Sequence, residues 1–499
     1  MTETSVSELD RIAGRAATAA PAWAAMPPKT RAAALSAVAD ALLLAAPVLV
    51  ATAERETGLS HARLTGELTR TAVQLRLFAD VVVDGTYLDV RIDDADPEFV
   101  LGTRPDLRRF RIPVGPVVIF AASNFPFAFS VAGGDTASAL AAGCPVVLKA
   151  HPGHPELSVL TATVVTDALS RTGAPNGTFQ LISGTAAGVT MLKDPRIAAG
   201  SFTGSIRAGR VLADIASARA CPIPFYGELG SVNPVFVTAA ALVDGADAIA
   251  TGFVTSVTGS AGQLCTKPGF LFVPTGHGLV HRVAELVAQT EEHRLLNPGI
   301  TAGYQARRTA ILGTPGISII SEGLLRVDDD GNGWATPTVV SVSVDSLQAH
   351  RETMLDEVFG PLSIVVEYPA GTDLTSVADG LFSGNLTGTV HAAPGETSDA
   401  IRALVDWISQ HAGRVLFGGW PTGVAVTPAM QHGGPWPATT NDSSTSVGTA
   451  AIARFLRPVA YQNAPQELLP EPLRDDNPWG VPQARSAAGV SQRWGTAVA

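Results

Sequence analysis

Residues 5 to 85 are rich in Ala, Leu and Arg with few turn signals, and they read as helices. Residues 98 to 113 (EFVLGTRPDLRRFRIP) read as two strands around a turn at Arg104-Pro105-Asp106. Then the pattern alternates. The β-branched run PVVIFAAS is followed by an Ala-rich helix from Phe129 to Gly143, the strand PVVLKA, a helix from Glu156 to Thr172 and the strand TFQLIS. A short helix, the strand IAAGSFT and a helix from Arg207 to Ala218 complete the series. Strands alternating with helices predict βαβ units and a mostly parallel sheet, which binds ligands beyond the carboxyl ends of its strands. Ser123-Asn124, Lys149 and Thr203-Gly204-Ser205 stand at those ends.

A second α/β region is predicted from about Leu229 to Val447, including the apolar run PLSIVVEY. The Pro-, Asp- and Gly-rich tail is expected to wrap a neighbour or stay loose. No internal repeat or long low-complexity linker is evident. The apolar stretch from Ala32 to Ala53 is interrupted by Asp40 and dominated by Ala, which predicts a buried globular helix rather than a membrane span.

At 499 residues the chain exceeds what one hydrophobic core usually accommodates, so two or three domains are expected. With 46% hydrophobic and 16% charged residues, global disorder is excluded. A net charge of −11 argues against nucleic acid as a partner. Three cysteines (Cys144, Cys221 and Cys265) are too few for a disulfide framework, and the N-terminus lacks a basic stretch followed by an apolar one. A reducing, cytoplasmic setting without membrane association is expected.

Candidate chemistry clusters in Gly-flanked segments. GSAGQLCTKPG sets Cys265 among glycines and small polar residues, where a thiol can be exposed and reactive. Cys144, inside AAGCPVVL, and Cys221, before Pro222, read as structural. PFYGELGSVNP places Glu228 in a Gly-flanked turn, as a candidate general base set against a plain surface Glu. Asn124 in AASNFPF is placed to donate to an oxyanion or to serve as a turn cap. FTGSIRAG sets Gly204 and Gly209 around a helix start, a weak phosphate-binding signal that is not the GxGxxG fingerprint.

In order, SNFP, GCPVVLK, FTGS with Gly209, ELGSVNP, GQLCTKPG and DEVFGP make the chain resemble the aldehyde dehydrogenase superfamily over about residues 110 to 450. The strings FPFAFSVAGGDTASALAAGCPVVLKAHPGHP, MQHGGPWPATT and FLRPVAYQN look most like the bacterial 2-oxoglutarate semialdehyde dehydrogenases and relatives acting on longer aldehydes.

The resemblance implies an α/β architecture. A Rossmann-like cofactor domain would comprise residues 1–97 and 114–228, and a second, catalytic α/β domain residues 229–449. Oligomerisation strands would lie in 98–113 and 450–475 of a homodimer or homotetramer, with a tail at 476–499. It implies Cys265 as nucleophile, Glu228 as general base, and Asn124 with the Cys265 backbone N–H as oxyanion donors. Lys149 would lie on the adenine-side ribose, Gly204, Ser205 and Gly209 at the pyrophosphate, Glu357 on the nicotinamide ribose and Phe359 beside the ring. Ser123 and His151 complete the cofactor-binding set, and no metal is implied. Ser123 stands where many relatives have Trp, and Pro152 where NAD-preferring members have Glu. Without that Glu, and with His151 and His154 nearby, NADP is expected ahead of NAD. The implied reaction oxidises an aldehyde, 2-oxoglutarate semialdehyde foremost, to the acid. Medium- or long-chain aldehydes are the alternative. A coenzyme A-acylating enzyme is disfavoured by Glu228, and a non-catalytic scaffold by the joint presence of Cys265, Glu228, Asn124 and Lys149.

Overall fold

The computed structural model describes residues 1–276 and 278–496. Four helices open the chain: α1 (Val6–Ala24), α2 (Pro28–Leu44), α3 (Ala46–Thr57) and α4 (His61–Asp84). Ser5 and Ser60 cap α1 and α4 by accepting the backbone N–H of Glu8 and Arg63, and Gly58 and Gly85 end α3 and α4 in left-handed conformation. The apolar stretch at 32–53 is globular as expected but is two helices, α2 and α3, bent by 69°. Both bury Leu and Val side chains in the largest core.

The strand pair expected within 98–113 is displaced. Strand β1 (Val90–Asp93) pairs antiparallel with β2 (Leu107–Pro113), and residues 99–102 form a turn instead of a strand. Within the 450–475 segment expected to hold a strand, Leu456–Gln462 pairs antiparallel with β2, and the tail adds one that was not expected, Gln483–Ser486, parallel with β1. A four-stranded sheet results, ordered 456–462, β2, β1, 483–486. The alternating burial of Val90 and Ile92 marks a half-buried strand that sequence reading passed over.

From here the βαβ series is as predicted: β3 (Val117–Phe120), α5 (Gly134–Ala142), β4 (Val146–Lys149), α6 (Pro155–Arg171), β5 (Phe179–Ile182), α7 (Thr185–Lys193), β6 (Ala199–Thr203) and α8 (Ile206–Ser217). A strand that was not predicted, β7 (Phe225–Glu228), follows, so Glu228 ends a strand instead of lying in a turn. All five strands are parallel, ordered β5-β4-β3-β6-β7. Helices cover both faces, so the strands are continuous apolar runs. Helix α5 starts later than predicted, at Gly134. The chain before it turns so tightly that a Cβ at Gly133 would lie 2.4 Å from the Ala128 carbonyl oxygen.

The second domain follows with β8 (Pro234–Val237), α9 (Ala239–Thr258) and β9 (Phe270–Pro274). Its seven-stranded sheet runs Ser318–Ser321, Thr338–Ser343, Leu362–Tyr368, β9, β8, Asn385–His391, Ala412–Phe417, parallel except at Ser318–Ser321. Helix α9 with the turn after it is, among the described residues, long and apolar enough to cross a membrane. Its Phe253 and Val257 are nonetheless packed in one core with Val235 and Leu271 of this sheet.

Candidate active site

The carboxyl end of the five-stranded sheet faces the Cys265 loop. Between them lies a cavity of about 350 Å³, lined among others by Ser123, Asn124, His151, Gly204, Ser205, Cys265, Glu357 and Phe359. Eight sequence-selected residues thus converge from segments scattered over more than 200 positions. Three do not line it. Lys149 ends β4 at the side, and Glu228 lies beneath its neighbours Leu229 and Gly230. Gly209 is covered by Leu229, where a Cβ would fall 2.1 Å from Leu229 Cδ2. Its small size serves helix packing rather than direct phosphate contact. A wider groove beside Lys193, Asp214 and Cys221 is open and has no nucleophile–base pair.

The Cys265 loop is held under strain. Ser260 and Ala261, neither a glycine, take left-handed φ of 54° and 53°. Gly262 follows with φ of 64°, and a Cβ there would lie 2.3 Å from the Gly360 carbonyl oxygen, so the loop abuts the DEVFGP segment. Asn233 Nδ2 donates to the carbonyls of Cys265 (2.8 Å) and Lys267 (2.9 Å), tying the ELGSVNP turn to the loop. Asn124 Nδ2 donates to the Gln263 carbonyl at 3.1 Å, which leaves the second N–H of its amide for the cavity. Asn233 and Gln263 stood inside quoted motifs, yet nothing local distinguished their roles.

A residue without an assigned role completes the chemistry. His432, in MQHGGPWPATT, is almost wholly buried, and its Nε2 lies 2.9 Å from Glu228 Oε1 and 3.6 Å from Cys265 Sγ. The sulfur, the imidazole nitrogen and a carboxylate oxygen all lie within 4.8 Å of one another. Such a set is also of the kind that binds zinc, although here two of the three already bond each other. The 432 segment runs beside β7: Leu229 N donates to Ala438 O (2.8 Å), and Ser446 N to His432 O (2.8 Å). Ser446 Oγ donates to Glu228 Oε2.

Burial by itself would raise the Glu228 pKa, but the charge of His432 and hydrogen bonds from His432, Ser446 and Cys265 outweigh it and hold the carboxyl below its ordinary value. Burial and the carboxylates of Glu228 and Glu357 push the Cys265 thiol well above its usual value. The resting site therefore pairs a carboxylate with a protonated thiol, with an imidazole in contact with both. Burial lifts Glu357 to about 7 against the pull of Lys267, and lowers Lys267 to about 8. Burial also keeps His151 neutral, at about 3, with Nδ1 accepting the Gly153 N–H. His154 is structural: its two ring nitrogens meet Ala122 O at 3.0 Å and Ser158 Oγ at 3.1 Å. The expected partial positive charge on the two histidines is thus corrected by their burial.

A half-buried thiol between the Asn124 amide and a buried carboxylate, at the carboxyl end of a doubly wound sheet, is the arrangement of an acyl-transfer site beside a dinucleotide cleft. The aldehyde dehydrogenase family pattern matches residues 1–435, and the chain belongs to that family of aldehyde-oxidising oxidoreductases. It is 43% identical over 484 residues to alpha-ketoglutaric semialdehyde dehydrogenase 2 of Azospirillum brasilense, covering 96% of this chain and 91% of the relative. It is likewise 43% identical over 431 residues to the alpha-ketoglutaric semialdehyde dehydrogenase of Acinetobacter baylyi, covering 85% and 81%. The fold matches a 3,6-anhydro-L-galactose dehydrogenase solved in complex with NAP, at TM-score 0.78 and 20% identity, covering 92% of both chains. It also matches an aldehyde dehydrogenase of Pseudomonas syringae solved with NAD+ and octanal, at TM-score 0.76 and 23% identity, covering 93% and 90%.

Proposed function

We propose that this enzyme oxidises 2-oxoglutarate semialdehyde to 2-oxoglutarate through a thioester on Cys265, with NADP favoured over NAD. The observation that carries the mechanism is the contact of His432 with both Cys265 and Glu228; the substrate rests on the two 43%-identical relatives.

The residues fit a nicotinamide dinucleotide. Gly204 and Ser205, at the start of α8, open into the cavity, where free N–H groups of the first turn would hold a pyrophosphate. Glu357 lies deeper, close enough to the ELGS turn that a Cβ at Gly230 would fall 2.4 Å from its Oε2, and it would take the nicotinamide ribose. The ammonium of Lys149 has no ion pair or hydrogen bond among the described residues and would hold the adenine-side ribose and its 2′-phosphate. Pro152 removes the carboxylate that would repel that phosphate at close range. When bound, the nicotinamide supplies the hydride acceptor.

The chain's own residues do the rest. The Glu228 carboxylate, which accepts the Cys265 thiol, takes its proton and passes it on to solvent, while His432 Nε2–H donates to the same carboxylate and holds it in place. The sulfur adds to the aldehyde carbon, while Asn124 and the Cys265 N–H hold the oxyanion. After hydride loss leaves a thioester, Glu228 takes a proton from water, which attacks the acyl carbon and returns Cys265 as leaving group.

The residues around 456–462 form an exposed sheet edge, which supports a homodimer or homotetramer built by strand pairing. Three unpaired cysteines are consistent with a cytoplasmic setting, and the acidic net charge with small-molecule rather than nucleic-acid partners. An aldehyde panel with NADP and NAD, with and without coenzyme A, tests the reading. A higher kcat/KM for 2-oxoglutarate semialdehyde than for aliphatic aldehydes, with free acid as product, is expected. Preference for medium or long aliphatic aldehydes, or acyl-coenzyme A as product, would replace it. Pro152→Glu should lower kcat/KM for NADP more than for NAD.

A further inference from the structure

Helix α4 turns one face toward the catalytic loops, and the charges on it are unequal. Arg63, Glu67 and Arg70 lie four and three residues apart, so their side chains share that face. Arg63 and Glu67 both have hydrogen-bond partners, although Arg63 Nη1 and Glu67 Oε2 make no hydrogen bond. Arg63 donates to the Asn124 carbonyl at 2.9 Å, lies 3.5 Å from Glu67 and covers the Phe125 ring at 4.9 Å. Glu67 Oε1 accepts the N–H groups of Phe127 (2.8 Å) and Ala128 (2.9 Å), pinning the loop that carries Asn124.

Arg70 has no such partner. It makes no ion pair or hydrogen bond among the described residues, and its Nη1 is buried without an acceptor. Leaving a charged donor buried and unmatched is costly, so one in a catalytic neighbourhood points to a ligand. The location is specific. The guanidinium lies 5.6 Å over the Phe129 ring, Phe129 lies 6.4 Å from the His432 ring, and His432 touches Cys265. The cofactor cavity opens on another side of the thiol, for neither Arg70 nor Phe129 lines it. The charges of Glu67, Glu228 and Cys265 all reach Arg70, and burial lowers its pKa while leaving a guanidinium charged.

We propose that Arg70 is the specificity-determining residue of this enzyme, binding the carboxylate of an aldehyde substrate whose carbonyl lies at Cys265 and whose chain passes Phe129. The planar fork of a guanidinium matches a carboxylate with two parallel N–H···O bonds, and the aromatic face beneath it keeps water from one side. Glu67 is kept off this duty by the two backbone N–H groups it accepts. The substrate class is then a short, ω-carboxylated aldehyde, and the inference rests on the proposed reading of the substrate.

The test compares kcat/KM of wild type, Arg70→Met and Arg70→Lys for 2-oxoglutarate semialdehyde and for pentanal, an uncharged aldehyde of equal chain length. Arg70→Met should lose roughly a hundredfold or more on the carboxylated aldehyde, mostly in KM, and remain within about threefold of wild type on pentanal. Arg70→Lys should recover part of the loss, since it restores the charge without the fork. Inhibition of wild type by glutarate should weaken in step in Arg70→Met. An equal loss on both aldehydes would mean a structural role and overturn the proposal, as would an unchanged kcat/KM for the carboxylated aldehyde in Arg70→Met. A wild type that favours pentanal would instead overturn the substrate reading itself, before any variant is compared.

Discussion

Nε2 of His432 lies 2.9 Å from Oε1 of Glu228, and both side chains are nearly closed to solvent. The same nitrogen lies 3.6 Å from the Cys265 sulfur, whose thiol donates to Glu228. Thiol deprotonation and water activation therefore both depend on a carboxylate that His432 holds in place. His432→Asn should lower kcat/KM on the order of a hundredfold. It should also slow alkylation of Cys265 by iodoacetamide and shift the pH profile of that reaction upward. A normal alkylation rate in a folded His432→Asn would remove His432 from thiol activation.

Cys265→Ala should abolish aldehyde oxidation while leaving the fold and cofactor binding intact, as read by circular dichroism and by quenching of protein fluorescence on titration with NADP. Turnover near the wild-type rate would end the thioester mechanism. Cys144→Ala should behave in the opposite way. Cys144 is fully buried, its thiol pushed up to about 11 by burial, and Sγ donates to the Phe455 carbonyl at 3.4 Å. Activity should persist, with a stability loss of about 1 kcal/mol seen as a lower Tm.

Glu228→Gln removes the acceptor for the water proton but keeps a hydrogen-bonding side chain of the same size. Rapid mixing should show a burst of reduced cofactor followed by slow steady turnover, because thioester hydrolysis is slowed more than hydride transfer. If burst and steady rate fell together, Glu228 would act mainly on Cys265.

Glu357 is lifted by burial to about 7, so it is protonated in acid and charged above that pH. Only the carboxylate accepts hydrogen bonds from both ribose hydroxyls. Affinity for NADP should therefore rise as pH climbs through 7 and level off above it. Glu357→Gln should bind more weakly at pH 8 and show a flatter profile from pH 6 to 8. A wild-type Kd that stays constant across this range would exclude the role.

The βαβ series was legible because a buried parallel strand must be apolar along its length and a covering helix must follow it, so PVVIFAAS, PVVLKA and TFQLIS could hardly be read otherwise. Cys265, Glu228 and Asn124 were legible because each stands beside residues that only a tight, exposed or strained backbone requires. β1 was missed because VRID is short and polar at alternate positions, and its partners, Leu107–Pro113 and Gln483–Ser486, lie up to almost 400 residues away. The strand in the tail is not legible, because its few apolar residues, such as Val481, find cover only on the assembled sheet, and a segment like that reads equally as wrapping a neighbour or staying loose.

The sequence by itself determined the class of fold, the family and the nicotinamide type of cofactor, and it named the residues proposed as nucleophile and base, since each is written in local pattern or in short ordered motifs. Tertiary structure alone decided that His432 bridges Glu228 and Cys265, that Gly209 serves packing, that His151 and His154 are uncharged, and that Arg70 has no hydrogen-bond or ion-pair partner among the described residues. The physical reason is the same in each case. Proton affinity and unmet hydrogen bonding depend on which distant groups arrive and how much water they displace, and His432 is 204 positions from the carboxylate that holds it.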